Sequence, residues 1–368
     1  MAARRTPVIV WAILLLGLLL ACRPSGSPAA PAPAGSTVSP GGGGPPSISE
    51  APPAATALSV GVLGSLVDLP VFLAVERGYF AEEALEVRLV AFNSASDMIP
   101  LLATDQLSLG SGGVNAGIFN AIGRGVRLHI VADKQFFPAG YEGSGILVRT
   151  DLFDSGRVRE ARDLRGLTIA QGAPGTTQEV QLDALLQEGG LTFDDVVLKT
   201  VAYADQAAAL ANGSIDVTST FEPYTTTFQE RGLARMWRLT GDISPDSEAS
   251  VVLFGPQMLG EHRAAGNRWM VAYLRGVRDY ARAFAGGEPP EDVVQTMVKH
   301  GTLKDPALIR RLKAPMINPN GYPFRESLQQ TLDFFVRRGL VQSPPNLDEV
   351  IETSFVDFAL ARLGRYAP

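Results

Sequence analysis

A strand–helix pattern that occurs twice restricts the fold of this chain more than any other sequence feature. The first copy opens with the apolar, β-branched run 58–63, which ends at Gly64 and precedes apolar residues at helical spacing. Further along the chain, 167–172 repeats that opening and 176–187 supplies its helix. Strands and helices that alternate in this way predict an α/β fold in which helices flank mostly parallel sheets.

The closing segments of the two copies also match. Residues 101–108 align with 209–216, in the same order as the opening strands and helices. Three matches in one order predict two lobes of the same topology. The other predicted elements of the two copies are helices at 68–77 and 97–103 and strands at 85–92, 107–110 and 196–203.

Two isolated strands, at 145–149 and 250–254, lie outside the repeat. We interpret each as the strand that follows a crossing of the chain from one lobe to the other. Lobe I is then discontinuous and consists of 58–140 and 248–368, whereas lobe II is 141–247. The remaining predicted elements are helices at 267–285, 291–299, 305–312, 323–338 and 346–363.

The composition excludes several classes of protein. The 368 residues are 46% hydrophobic and 19% charged, which is typical of a globular chain. A net charge of −6 and a pI near 5.3 indicate no basic surface for nucleic acid. One cysteine permits no disulfide within the chain, and His129, His262 and His300 are too far apart for a short-spaced zinc motif. We therefore expect no metal and no cofactor.

The N-terminal residues are typical of an export signal followed by a tether. Arg4 and Arg5 precede an apolar run that ends in Leu-Leu-Ala-Cys, with Cys22 as its last residue. This ending resembles the lipobox of bacterial lipoproteins, which implies that a signal peptide, 1–21, is removed and that Cys22 carries lipid. Residues 22–57 are rich in Pro, Gly, Ser and Ala and predict a flexible linker. We expect a secreted protein, lipid-anchored on the outer face of the cytoplasmic membrane; a buried free cysteine is the alternative.

The loops after the predicted strands give the candidate binding site. In an open α/β sheet, ligands bind beyond the carboxyl ends of the strands, and in two facing lobes these ends line one cleft. The loops are 64–68, 93–96 and 111–115 in lobe I, and 172–177, 203–205 and 220–224 in lobe II. The candidate ligand-binding residues, from these loops and the first crossing, are Ser65, Asp68, Ser94, Gly113, Asn115, Gln135, Thr176, Thr177, Glu222 and Tyr224.

A purely structural role is an open alternative for most of these residues. Asp68, Ser94 and Thr176 precede predicted helices, where such side chains commonly cap the N-terminus. Glu222 and Tyr224 directly follow a buried strand and are held by a proline. A carboxylate in that place can accept hydrogen bonds or pair with a cation, and the ring can stack on a planar ligand. The alternative is a surface turn with a core tyrosine.

No catalytic motif accompanies the candidate residues. The sequence has no Gly-x-Ser-x-Gly elbow, no Walker phosphate loop and no His-Glu-x-x-His. None of the histidines falls in a candidate loop. We therefore predict binding without catalysis, and no catalytic residue.

Three short segments form a set that points to one family. Residues 74–87, 163–170 and 222–224 resemble the opening, the entry to the second lobe and the cleft turn of solute-binding proteins that serve ABC importers for aliphatic sulfonates, taurine, nitrate and thiamine-type pyrimidines. Ala84 departs from the pattern, because the family usually has glycine there. The resemblance covers about 58–340. It implies a periplasmic-binding-protein-like fold of type II that closes over a small solute and docks, as a monomer, on permease subunits with a separate ATPase.

The charge of the candidate loops bears on the class of ligand. They contain Asp68, Asp205 and Glu222 but no Lys or Arg. Burial of a carboxylate beside an anion is costly. We therefore favour a neutral or weakly basic heterocycle, such as a thiamine-type pyrimidine. A sulfonate, taurine or nitrate is the alternative, and an enzyme on the same scaffold and a sensor without a transporter also stay open.

Overall fold

The computed structural model describes residues 55–367, in which ten strands form two sheets. The predicted signal peptide, Cys22 and nearly all of the predicted linker lie outside the described residues. The first strand begins at Thr56, so Thr56 and Ala57 belong to a strand and not to the linker. The strands are β1 Thr56–Val62, β2 Leu85–Ala91, β3 Leu109–Gly113, β4 His129–Phe137, β5 Ser144–Arg149, β6 Thr168–Gln171, β7 Val197–Thr200, β8 Val217–Phe221, β9 Ala234–Leu239 and β10 Ser247–Phe254.

The two sheets have the same arrangement of strands. The order is β2-β1-β3-β10-β4 in the first sheet and β7-β6-β8-β5-β9 in the second. In the first sheet, β1 is parallel to β2 and β3, and β10 is antiparallel to β3 and β4. In the second, β6 is parallel to β7 and β8, and β5 is antiparallel to β8 and β9. The predicted α/β fold with two mostly parallel sheets is confirmed.

Helices cover both faces of each sheet. In the first sheet, α1, α11 and α16 enclose one apolar core and α3, α4 and α14 another; in the second, α6 covers one face and α7 and α8 the other. None of the described helices is both long and apolar enough to cross a membrane. The helices are α1 Leu69–Glu76, α2 Tyr79–Glu82, α3 Ala95–Ala103, α4 Ala116–Gly123, α5 Thr150–Asp154, α6 Thr177–Glu188, α7 Tyr203–Ala211, α8 Tyr224–Glu230, α9 Thr240–Ile243, α10 Pro256–Leu259, α11 Arg263–Ala285, α12 Glu291–His300, α13 Pro306–Arg311, α14 Arg325–Arg337, α15 Leu347–Val350 and α16 Ser354–Leu363.

The chain passes twice between the sheets. After β4 it enters the second sheet as β5, between β8 and β9, and after β9 it returns to the first sheet as β10, between β3 and β4. These are the two strands that lay outside the sequence repeat. Below, lobe I denotes the first sheet with α1–α4 and α10–α16, and lobe II the second sheet with α5–α9. The predicted boundaries, which assign the first residue of β10, Ser247, to lobe II, stay a prediction.

The strand β3 ends three residues later than the sequence suggested. Its sequence, Leu-Gly-Ser-Gly-Gly, has little β-propensity, so 111–115 was predicted to be a loop. A Cβ on Gly112 would lie 2.6 Å from the Cβ of Ala95, and one on Gly110 would lie 2.8 Å from Sδ of Met98. The absence of side chains therefore lets α3 pack directly on β3, and this packing makes the segment a strand.

Two further predictions of secondary structure were wrong. The predicted strand 196–203 ends at Thr200, and Tyr203 begins α7. The predicted helix 346–363 is two helices, because Ile351 pairs with Ile130 of β4 and interrupts the helical hydrogen bonds. Both differences arise from contacts with distant parts of the chain.

The turn before β2 contains the residue that departs from the family pattern. Ala84 has a φ of 50°, in the left-handed region that glycine adopts without strain. The preference for glycine at this position thus has a backbone cause.

Candidate functional site

A cavity of about 440 Å³ lies between the two sheets, where the carboxyl ends of their parallel strands face each other. This volume is in the range of small-molecule sites. From lobe I the lining residues are Leu63, Ser65, Leu66, Val67, Asn93, Ser94, Ala95, Gly113, Val114, Asn115, Gln135, Phe137, Ala249, Ser250, Thr302, Leu303 and Pro315. From lobe II they are Ala173, Thr176, Thr177, Gln178, Tyr203, Phe221, Glu222, Pro223 and Tyr224.

The cavity brings together all but one of the residues that we singled out in the sequence. Asp68 is the exception, because its side chain is fully buried beneath the wall and does not face the cavity. The lining also includes Thr302, Leu303 and Pro315, from a part of the chain that contains no repeat. The candidate residues that line the cavity are Ser65, Ser94, Gly113, Asn115, Gln135, Thr176, Thr177, Glu222 and Tyr224.

A buried ion pair supports the wall of lobe I. Lys134 of β4 and Asp68 are both fully buried, and the ammonium group contacts the carboxylate of Asp68 and the hydroxyl of Ser111 in β3. The other oxygen of Asp68 accepts hydrogen bonds from the backbone N–H groups of Leu63, at 2.9 Å, and Ser65, at 3.1 Å. Asp68 therefore fixes the loop after β1 against β3 and β4, and Lys134 compensates its charge.

A pair of buried carboxyl groups lies on the same strand. Asp133 precedes Lys134 in β4, and its carboxyl group lies beside that of Glu248 in β10. Burial raises the pKa of Asp133 to about 7 and that of Glu248 well above its usual range, the latter also through the charge of Asp133. Backbone N–H groups of Asn318 and Phe324 donate to the outer oxygens, at 2.6 and 2.7 Å. The remaining oxygens, Oδ1 of Asp133 and Oε1 of Glu248, have no other partner, as expected if they share a proton.

Two of the candidate side chains cap helices; the structural alternative had proposed this for Ser94 but not for Asn115. The hydroxyl of Ser94 accepts from Asp97 N–H at 3.3 Å, and Oδ1 of Asn115 accepts from Ile118 N–H at 3.2 Å. Thr176 is the N-cap residue of α6 but makes no capping hydrogen bond with its side chain. The N-termini of α3, α4 and α6 therefore all point towards the cavity, and their backbone dipoles favour an acceptor or a partial negative charge on a ligand.

Three amide side chains are available to a ligand. Asn93, Gln135 and Gln178 line the cavity, and their side chains make no hydrogen bond to any other residue in 55–367. An amide donates and accepts at the same time, and so it pairs well with a heterocycle edge that carries both kinds of group. Asn93 lies in a predicted loop and Gln178 directly after one, but neither is among the candidate ligand-binding residues predicted from the sequence.

Aromatic rings form the wall of lobe II. The ring of Tyr203 stacks on that of Tyr224 at 5.5 Å between centroids and meets Phe221 edge-on at 4.8 Å. A Cβ on Gly172 would lie 2.1 Å from the ring of Tyr203, so the glycine makes room for this ring. Burial raises the pKa of Tyr203 and of Tyr224, and both hydroxyls therefore stay protonated near neutral pH. Tyr203 and Phe221 lie in candidate loops of the sequence. Because a strand is predicted to end at Tyr203, the sequence does not indicate that the ring of Tyr203 faces the cavity.

Glu222 contributes the one charged side chain among the described lining residues. Its oxygens accept hydrogen bonds from Thr226, through the hydroxyl at 2.7 Å and the backbone N–H at 3.1 Å, and from the backbone N–H of Lys313 at 3.0 Å. Since a carboxylate offers about four acceptor positions, most of its capacity is used within the protein. The side chain is only 8% exposed. The cavity thus presents a nearly neutral surface.

The lobes also touch at the rim of the cavity. The backbone N–H of Ala116 donates to the carbonyl of Gly175 at 3.0 Å, and Asn115 forms a bridge with Thr176. On another side, Arg338, which directly follows α14, lies over the ring of Phe193 at 4.3 Å. The structure is therefore a closed arrangement of the two lobes. The residues in 55–367 contain no cluster of three His, Cys, Asp or Glu side chains that could hold a metal ion.

The sequence pattern of the NMT1-like family matches residues 51–278, which span β1 to most of α11. The chain belongs to the NMT1-like family. The match includes both sheets and most of the cavity lining, but not Thr302, Leu303 and Pro315.

Two curated relatives of this NMT1-like chain have different names. A "4-amino-5-hydroxymethyl-2-methylpyrimidine phosphate synthase" of Aspergillus parasiticus is 34% identical over 134 residues, 34% of this chain and 34% of the relative. A "Putative aliphatic sulfonates-binding protein" of Bacillus subtilis (strain 168) is 29% identical over 171 residues, 45% of this chain and 48% of the relative. The chain thus spans less than half the length of either relative.

A solved structure supports the fold over a longer stretch. The periplasmic aliphatic sulphonate binding protein SsuA from Escherichia coli superposes with a TM-score of 0.67 at 20% identity, over 82% of this chain and 93% of that chain. The similarity confirms that the NMT1-like chain has the periplasmic-binding-protein-like fold predicted from the sequence.

Proposed function

We propose that this protein is an extracytoplasmic solute-binding protein of an ABC importer and that it carries a planar, uncharged heterocycle of the thiamine-pyrimidine type. The observation that carries this proposal is the composition of the cavity, in which the stacked rings of Tyr203 and Tyr224 lie in the wall of lobe II and unpaired amides line the cavity from both lobes. A flat ring stacks on tyrosine, and its nitrogen and amino groups pair with amides. The relative named for a pyrimidine phosphate agrees with this class.

The proposed residue roles follow the geometry. Gln135, Asn93 and Gln178 bind the edge of the heterocycle, and Tyr224 and Tyr203 bind its face. The predicted contacts through Ser65, Ser94, Gly113, Asn115, Thr176 and Thr177 stay part of the proposal. Asp68 supports the wall from beneath, and no catalytic residue, metal or cofactor is proposed.

The proposed location and partners rest on the N-terminal sequence and on the resemblance. Export by the signal peptide 1–21 and lipid on Cys22 would hold the protein on the outer face of the cytoplasmic membrane. Closure of the lobes over the solute would then present a monomer to permease subunits, with a separate ATPase. Mass spectrometry of the protein from membranes tests the anchor, since a diacylated Cys22 adds two acyl chains to the N-terminal peptide.

A sulfonate is the second candidate ligand. The N-termini of three helices, α3, α4 and α6, point towards the cavity and favour an anionic group. The name of the Bacillus subtilis relative agrees with this class. No lysine or arginine is among the described lining residues, and this absence makes us rank the neutral heterocycle first.

A thermal-shift screen of the full-length chain tests the proposal. The panel holds 4-amino-5-hydroxymethyl-2-methylpyrimidine, other pyrimidines, taurine, alkanesulfonates and nitrate. A ligand at 100 times its Kd stabilises the folded state by about 2.7 kcal/mol, which raises the Tm by several degrees. We expect the shift from a pyrimidine and expect Tyr224→Leu to abolish it. A shift from sulfonates alone would overturn the ligand class, and no shift from any compound would contradict the transport function for these solutes.

A further inference from the structure

A segment without helix or strand connects α13 to α14 and lies along the edge strand of lobe I. We call this segment, residues 312–324, the strap. The backbone N–H of Phe136 in β4 donates to the carbonyl of Met316 at 3.0 Å, and that of Asp133 donates to the carbonyl of Gly321 at 2.9 Å. With the bond from Asn318 N–H to the carboxylate of Asp133, these contacts fix most of the strap to β4. The strap therefore moves with lobe I.

The first residues of the strap reach the other lobe. The backbone N–H of Lys313 donates to Oε1 of Glu222, which directly follows β8 of lobe II. The carbonyl of Lys313 accepts from the hydroxyl of Tyr141, at 3.1 Å, in the crossing between the lobes. The ammonium group of Lys313 lies 2.9 Å from the carboxylate of Glu142, in the same crossing. Lys313 is thus the point at which the strap, the crossing and lobe II meet.

Contacts within lobe II orient the carboxylate of Glu222 for its hydrogen bond to Lys313. The two hydrogen bonds from Thr226, one turn into α8, orient the carboxylate before Lys313 arrives. When the lobes separate, the carboxylate loses one donor and keeps two, so opening does not leave a buried charge without partners. When they close, a charge-assisted hydrogen bond forms, which is stronger than one between neutral groups. The contact can therefore be made and broken without a large penalty in either state.

The same contact brings two cavity walls together. Pro315, two residues after Lys313, lines the cavity from lobe I, and Tyr224, two residues after Glu222, lines it from lobe II. The pairing of Lys313 with Glu222 therefore sets the distance between these walls.

We propose that Glu222 is a positioning residue for closure, and that its bond to the backbone N–H of Lys313 holds the strap of lobe I against lobe II and so completes the cavity. Glu222 acts through Lys313 and does not supply charge to the ligand. The expected effect on ligand binding rests on the proposed solute-binding function. The hydrogen bond between Glu222 and Lys313 does not, because it can be measured without any ligand.

A neighbouring ion pair gives a matched control. Arg311, at the end of α13, lies 2.9 Å from Glu230 at the end of α8, so this pair also joins the strap's helix to lobe II. Its side chains are 49% and 45% exposed. An exposed ion pair contributes little to stability. Glu230→Gln therefore removes a carboxylate from the contact between the two lobes without an expected effect on their closure.

Hydrogen–deuterium exchange of the full-length chain without ligand tests the proposal. Glu222→Gln removes the charge and turns an N–H₂ group towards one of the three donors. We expect the Lys313 amide to exchange about tenfold faster in Glu222→Gln, since a hydrogen bond to a charged group is lost, and to be unchanged in Glu230→Gln. We also expect a larger radius of gyration for Glu222→Gln in X-ray scattering, because the open form gains population. Unchanged exchange at Lys313, or an equal change in both variants, would overturn the proposal.

Two further measurements separate this proposal from its alternatives. Glu222→Asp keeps the charge but shortens the reach to Lys313, so it should also speed exchange there; normal exchange in this variant would contradict the proposed contact. With 4-amino-5-hydroxymethyl-2-methylpyrimidine as the probe, the dissociation rate should rise in Glu222→Gln while the association rate stays the same. If the wild-type protein does not bind this probe, the ligand class fails, and the exchange result still decides the role of Glu222.

Discussion

The two lobes share one topology but stabilise their cavity walls by different means. In lobe I, ionisable groups lie fully buried beneath the wall: Lys134 forms an ion pair with Asp68, and the carboxyl group of Asp133 lies beside that of Glu248. In lobe II, uncharged groups brace the strand β8 and the aromatic wall. The hydroxyl of Thr218 donates to Gln206 at 2.6 Å, and rings of the aromatic wall pack on one another.

This difference between the lobes assigns the stability of the fold mainly to the wall of lobe I and the recognition of the ligand mainly to the wall of lobe II. A buried charge is costly unless its partner is present, so the wall of lobe I depends on its ion pair for its position. Stacked rings keep their packing through shape, and in lobe II the same rings face the cavity. We therefore expect substitutions beneath the wall of lobe I to reduce stability most, and those in the wall of lobe II to change ligand binding most.

The largest effect should come from Lys134→Met in lobe I. Removal of the ammonium group leaves the buried carboxylate of Asp68 without its counter-charge, which costs about 3–5 kcal/mol. The free energy of unfolding, from urea denaturation, measures this loss. The matched change in lobe II, Thr218→Val, leaves only the neutral side chain of Gln206 without a donor and should cost about 1–3 kcal/mol. Equal losses in the two variants would contradict the comparison.

The second effect is a pH dependence that originates in lobe I. The pKa of Asp133 is raised by burial to about 7, above its ordinary value, so the folded chain holds a proton that the unfolded chain releases. The stability that this proton confers is present below about pH 4 and is lost as the pH rises through about 7. The free energy of unfolding should therefore fall across this window, by at most about 1.4 kcal/mol per pH unit for one group.

Replacement of the pair tests this origin. Asp133→Asn together with Glu248→Gln removes both carboxyl groups and should flatten the Tm profile between pH 4.5 and 7.5. Asp194→Asn removes an exposed carboxyl group of lobe II and should leave the profile unchanged. A profile that stays steep in the double variant would show that other groups set the pH dependence.

The smallest expected effect compares two glycines at the strand ends. In Gly172→Ala, the new Cβ would lie 2.1 Å from the ring of Tyr203 and must displace it, at a cost of about 1–3 kcal/mol. In Gly113→Ala, at the end of β3, the Cβ meets only the carbonyl oxygen of Ala249 at 3.7 Å, an ordinary contact. The Tm should fall for Gly172→Ala and change little for Gly113→Ala, and the affinity for a bound pyrimidine should fall for Gly172→Ala. Unchanged Tm and affinity in Gly172→Ala would contradict our assignment of the aromatic wall.

Much of the fold followed from the sequence because its signals are local. Apolar runs that end in glycine predicted the parallel strands, and the two strands outside the repeat predicted the crossings as β5 and β10. The loops that lie around the cavity could be named for the same reason, since the ends of parallel strands lie at one edge of a sheet. The predicted strand 196–203 and the predicted single helix 346–363 were wrong, because the helix that begins at Tyr203 and the break at Ile351 depend on contacts with distant residues.

The sequence by itself determined the class of fold, the repeat and the general place of the cavity, since strand and helix periodicity is a property of short segments. Only the tertiary structure decided which polar groups meet. It paired Asp68 with Lys134 and engaged Glu222 with the backbone of Lys313. Groups so far apart along the chain leave no local sequence pattern that would indicate their contact. A buried charge needs a partner only once the chain has packed around it, so the pairing is visible only in the folded structure.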